Sequence, residues 1–176
     1  WYCGRIGWWP PFGRSWRGFV QVMRGVCCGI IETVRALHDV DPQILPVHVD
    51  ATDLYASRDP SLEAEARHRQ EIVFLALDLV SGRIGPAHAL YSWLIHQGVH
   101  EDELAWFRAH AIPLPFIGLN LYPMFTNKVF TRTLAGRTRL KMEYATGDLV
   151  ESLGELYWER YRAPLFISET AATGSI

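Results

Sequence analysis

Pro164-Leu165-Phe166-Ile167-Ser168-Glu169-Thr170 is the stretch that decides the fold. Its apolar start has the length and composition of a buried parallel strand. The run turns polar at Ser168 and sets a carboxylate, Glu169, at the strand's C-terminal end. That end is where α/β barrels carry their catalytic groups.

The same pattern recurs upstream. Phe116-Ile117-Gly118-Leu119-Asn120-Leu121-Tyr122-Pro123 reads as a second buried strand that ends in polar residues. Ile44 to Val49 reads as a third, although Pro46 inside it has no N–H for a ladder. The polar cluster His48-Val49-Asp50-Ala51-Thr52-Asp53 closes that strand.

Helical patterns fill the intervals. Phe19, Met23, Val26, Ile30, Val34 and Leu37 make one apolar stripe, which stops near Asp41-Pro42. Asp59-Pro60 reads as an N-cap and first helical residue. The helix it opens runs to about Val80, with Leu62, Ala66, Ile72, Val73, Ala76 and Leu79 inward. Shorter helical pieces follow around 88–97 and 101–110. Residues 128–133 and 137–142 alternate around Gly136 and predict a small hairpin. Thr146 then caps a helix carrying Leu149, Val150, Leu153, Leu156 and Tyr157 inward. Residues 4–15, rich in Gly, Pro and Trp, read as loop.

Strands alternating with helices argue a parallel sheet. A doubly wound sheet would alternate too, but it usually carries a glycine-rich phosphate loop, and none follows any strand here. The expected class is α/β: part of a (β/α)8 TIM barrel with a small β-hairpin insertion, one incomplete domain over residues 1–176.

Composition bounds the rest. The 176 residues are 49% hydrophobic and 20% charged, with a net charge of −2. That is a globular composition with no electrostatic footprint for nucleic acid. No apolar run is long enough for a membrane span. Cys3, Cys27 and Cys28 lack the spacing of a zinc site and fit reduced thiols in a cytoplasmic protein. No cofactor is expected. The first residue is Trp1, and a loop leaving a parallel strand should lead to another helix, so the chain is expected to be a fragment.

The motifs carry a resemblance. Phe116-Ile117-Gly118-Leu119-Asn120-Leu121-Tyr122 resembles the D-F-I-G-L-N-Y-Y segment of family 1 glycoside hydrolases, the β-glucosidases and their relatives. Leu165-Phe166-Ile167-Ser168-Glu169-Thr170 resembles that family's I-T-E-N-G, whose Glu is the catalytic nucleophile at the end of barrel strand seven. Phe74-Leu75-Ala76-Leu77-Asp78 with Gly82 is faintly similar to its F-L-D-P region. The chain departs from the family pattern at Thr170-Ala171, at Leu121, and at the ending of the third strand. The resemblance implies a divergent branch that spans the end of the fourth barrel unit through strand seven. It also implies that the acid/base Glu, from an N-E-P motif, would fall just before Trp1.

The implied chemistry is glycoside hydrolysis with retention. It needs two carboxyl groups about 5–5.5 Å apart, one attacking the anomeric carbon and the other protonating the leaving oxygen. Glu169 would be the nucleophile and Tyr122 the hydroxyl that orients it; Asn120 would bind substrate in the same cluster. For Glu169 the plainer reading is a solvated loop carboxylate, and for Tyr122 a packed rim aromatic. His48, Asp50 and Trp9 are further candidates for sugar contacts. The plain alternatives are a structural hydrogen bond for His48 and Asp50, and loop packing for Trp9. No metal site is expected. The expected ligand is a small glycoside or oligosaccharide, with no nucleic acid and no membrane partner. The 176 residues alone should be inactive for want of the second carboxylate. A catalytically lapsed carbohydrate-binding or regulatory barrel is the alternative.

Overall fold

A computed structural model of the chain describes residues 1–171. The chain forms two compact units: residues 1–44 with 74–113, and residues 45–73 with 114–176.

The first unit is helical. A π-helical turn at Tyr2–Ile6 precedes α1, Trp16–Val40. The turn lies backbone against backbone on α1, since a Cβ at Gly4 would sit 2.5 Å from the Phe19 Cα and 2.6 Å from the Gly18 carbonyl oxygen. Ser15 caps α1 by accepting from the Gly18 N–H at 3.0 Å. The stripe that α1 buries is Val20, Cys27, Ile31 and Val34, together with Phe19. Val26 and Leu37, expected inside, are exposed. Cys27 takes the inward position in helical phase with Val20, Ile31 and Val34, and its thiol donates to the Ala76 carbonyl, 3.7 Å away.

Three shorter helices complete this unit: α3 at Leu75–Val80, α4 at Tyr91–His96 and α5 at Glu101–Ala109. Every residue of α3 is buried, and it packs against α1 and α5. Its one charged residue, Asp78, is fully buried and bonds His88 Nε2 at 3.1 Å, the partner that a buried carboxyl requires. A capping box between His100 and Glu103 starts α5.

The second unit holds two three-stranded sheets. One is parallel, in the order β1–β3–β6, from Val47–Ala51, Phe116–Asn120 and Leu165–Glu169. The other joins β2, Leu54–Ser57, in parallel to β4, Asn127–Arg132, which pairs antiparallel with β5, Thr138–Met142. The β4–β5 pair is the expected hairpin. β1 begins at Val47, so Pro46 stands outside the ladder. β2 was not expected; its four residues join as an edge strand.

The helix expected to run to Val80 breaks at Phe74. Asp59 caps a 3-10 turn, Pro60–Leu62, which leads into α2, Glu63–Val73. The chain re-enters a helix only at α3. The remaining helix, α6, spans Asp148–Tyr161 with Leu149, Leu153, Tyr157 and Tyr161 buried, while Val150 is exposed. Its N-cap is Gly147, without a side-chain bond, rather than Thr146, whose hydroxyl bonds the Asp148 carboxylate instead. Among the described residues no helix is long and apolar enough to cross a membrane.

Candidate active site

Parallel pairing decides which side chains meet. Ala51 is level with Asn120, and Asn120 with Glu169, so three strand ends lie side by side. The Leu121 N–H donates to the Glu169 carbonyl at 2.8 Å, and the Thr52 N–H to the Asn120 carbonyl at 3.2 Å, which extends the sheet past its last rungs.

Tyr122 follows Asn120 by two residues, just past the end of β3. A tight turn holds it. Its N–H donates to Thr126 Oγ1 at 2.9 Å, and its carbonyl accepts from the N–H groups of Phe125 and Thr126 at 2.9 and 2.8 Å. The Tyr122 hydroxyl lies near the Glu169 carboxylate, and its interaction with that carboxylate is the main cause that raises the phenol pKa above its ordinary value. A phenol so placed stays protonated and keeps its hydrogen available to the carboxylate.

Asn120 has its own partner: Ser168 Oγ donates to Asn120 Oδ1 at 2.8 Å. Glu169, Tyr122, Asn120 and Ser168 therefore form one cluster. Glu169 is exposed at the end of β6, open to an approaching ligand.

His48 and Asp50 are level with Ile117 and Leu119, so they occupy the face of β1 opposite to that shared with Asn120. Ile117 and Leu119 are buried, and His48 and Asp50 are half-buried on that side. Burial lowers the His48 pKa. Burial also pushes the Asp50 carboxyl up to about 7, with Asp53 adding to the rise and the Ala51 N–H opposing it. Asp53 is itself raised by burial, although its ion pair with Lys128 at 2.5 Å works the other way. Trp9 belongs to the first unit, where it is exposed with its ring centroid 5.3 Å from that of Tyr2.

Ser168, Gly118 and Thr126 escaped the sequence reading. Ser168 adjoins Glu169, and Gly118 stands two before Asn120, so both were on view in the quoted motifs. Nothing in Thr126's neighbourhood advertised its bond to the Tyr122 backbone.

No protein-family model and no curated protein sequence matches the chain. Solved structures do. The virulence factor SghA of Agrobacterium tumefaciens, solved with its substrate analogue salicin, matches with a TM-score of 0.71 at 21% identity, over 100% of this chain and 42% of that one. A family 1 β-glucosidase of Thermotoga maritima matches with a TM-score of 0.76 at 14% identity, over 97% of this chain and 40% of that one. The AHE enzyme of Alicyclobacillus herbarius matches with a TM-score of 0.65 at 18% identity, over 98% and 42%. The chain thus spans about 40% of the length of these structures and carries, over that span, the fold of a family 1 glycosidase barrel at low sequence identity.

Proposed function

We propose that the chain is the nucleophile-bearing part of a retaining β-glycosidase. The observation that carries this reading is the Glu169 carboxylate at the end of β6, level with Asn120 at the end of β3, with the Tyr122 hydroxyl near enough to interact with it. In the first step the Glu169 carboxylate attacks the anomeric carbon while an acid protonates the leaving oxygen, giving a glycosyl-enzyme. Water, deprotonated by the conjugate base of that acid, then displaces Glu169. Tyr122 holds the carboxylate in its attacking orientation.

The acid/base carboxyl belongs outside these residues. Among the described acids near the strand ends, Asp50 lies on the opposite face of β1 from Asn120, and Asp53 is held by Lys128. The 176 residues alone are therefore inactive toward glycosides. The ligand is a small glycoside or oligosaccharide. A reducing, cytoplasmic setting, with Cys3, Cys27 and Cys28 as thiols, is part of the same proposal.

The test is Glu169→Gly in the full-length gene product, assayed on an aryl β-glucoside. Activity should fall by about 10³-fold or more, and azide should restore turnover by taking the place of the missing nucleophile. Undiminished hydrolysis, or loss without azide rescue, removes the nucleophile assignment. A protein that binds sugar without hydrolysing it would instead be the lapsed, carbohydrate-binding barrel.

A further inference from the structure

We propose that Ser168 is a positioning residue: it fixes the Asn120 amide so that its nitrogen donates to an oxygen of the sugar bound at Glu169. The inference rests on the reading of Glu169 as the glycosidase nucleophile.

Three observations converge on it. First, the Ser168 hydroxyl donates to Asn120 Oδ1 at 2.8 Å. An amide is planar, so occupying its oxygen sets the direction of its two N–H donors. With the oxygen engaged, Asn120 meets a ligand as a pure donor, the complement of a sugar hydroxyl or ring oxygen.

Second, the backbone makes room for this bond. A Cβ at residue 118 would lie 2.8 Å from Ser168 Oγ, 2.9 Å from its Cβ and 3.1 Å from a methyl of Val49. Gly118 is in β3, and its φ does not fall in the left-handed region, so no backbone conformation calls for a glycine here. A glycine inside a strand marks close approach. What approaches is the Ser168 side chain.

Third, the strand register is broken at this point. Ile167 is level with Leu119, but Glu169 is level with Asn120, so the pairing shifts by one residue and Ser168 is the extra one. In a regular strand, Ser168 and Glu169 would project from opposite faces. The bulge re-aims them, which is a recognised use of bulges beside active sites. Ser168 reaches Asn120, and Glu169 lies near Tyr122, two residues further along the chain. One irregularity thus assembles both the nucleophile with its phenol and the amide with its hydroxyl.

The experiment uses the full-length gene product with an aryl β-glucoside as substrate and a glucoimidazole inhibitor as binding probe. Ser168→Ala should lower kcat/KM by about 10-fold and weaken inhibitor binding by a similar factor, the loss of one well-placed hydrogen bond. Ser168→Thr, which keeps the hydroxyl, should stay within about 3-fold of the unsubstituted protein. Asn120→Ala should be at least as damaging as Ser168→Ala, and the double variant should be no worse than Asn120→Ala alone, because Ser168 acts through Asn120. A silent Ser168→Ala, an equally damaging Ser168→Thr, or additive effects in the double variant would each overturn the proposal. If Glu169→Gly abolishes turnover while Ser168→Ala is silent, this inference alone fails. A protein that neither hydrolyses the glycoside nor binds the inhibitor would sink the glycosidase reading and this inference together.

Discussion

At the residue scale, the phenol of Tyr122 and the carboxylate of Glu169 depend on each other. The interaction with Glu169 that raises the phenol pKa also keeps the hydroxyl protonated throughout the neutral range. Tyr122→Phe leaves the ring and removes the donor. In the full-length gene product it should cut kcat by about 10- to 100-fold with little change in melting temperature, since Glu169 is exposed. Steady-state kinetics beside a thermal melt would separate that result from simple destabilisation. Asp50 presents a different balance. Its carboxyl is pushed from 3.8 up to about 7 by burial, so the folded state holds a proton that the unfolded chain has already released. Between those values the native form binds more protons than the unfolded one, and stability falls as pH rises from about 4 to 7. Asp50→Asn should flatten that decline and raise stability at pH 7, as denaturant titrations at several pH values would show; an unchanged slope would mean that Asp50 is not desolvated.

At the element scale, single polar side chains fasten helices to strands. Gln70 of α2 accepts from the Tyr55 N–H at 2.9 Å and donates to the Asp53 carbonyl at 3.1 Å, binding the start of β2 on its free edge. Gln70→Leu keeps the bulk and strips both partners, and should cost about 1–3 kcal/mol by urea melting. That role was not legible in the sequence, where Gln70 is one polar residue in a polar helix. β2 was equally hidden. Four residues give too short a period to read, and their strand character comes from pairing with β4, more than seventy positions away. The strands that carry Asn120 and Glu169 were legible because each is an apolar run that turns polar at its end. The stripe of α1 was half legible: its spacing was right, but Cys27 outcompetes Val26 for the interior. The opposite faces of Asp50 and Asn120 could not be read at all, since the face a residue takes depends on register with a partner strand.

At the scale of the whole molecule, the parallel sheet leaves apolar surface open. Register places Val47 level with Phe116, and Val49 level with Gly118 and hence with Phe166, so these side chains share one face. Val47, Val49, Phe116 and Phe166 are between 37% and 49% exposed, more than single scattered hydrophobics would warrant because they adjoin. In the order β1–β3–β6, both β1 and β6 also keep one edge without a strand partner among the described residues. Open edges beside an apolar face invite intermolecular pairing. Expressed as these 176 residues, the chain should therefore associate with itself, and light scattering after size exclusion should give a mass that rises with concentration. Replacing Val49 and Phe116 by Lys should lower that mass, because a charge on the shared face must be desolvated before a second sheet can cover it. The two substitutions leave β3's buried face, Ile117 and Leu119, untouched, so a drop in association with an unchanged melting profile would tie the effect to the open face. A monodisperse, cooperatively melting monomer at every concentration would contradict the argument, and would mean that the exposed face is too small or too curved to pair.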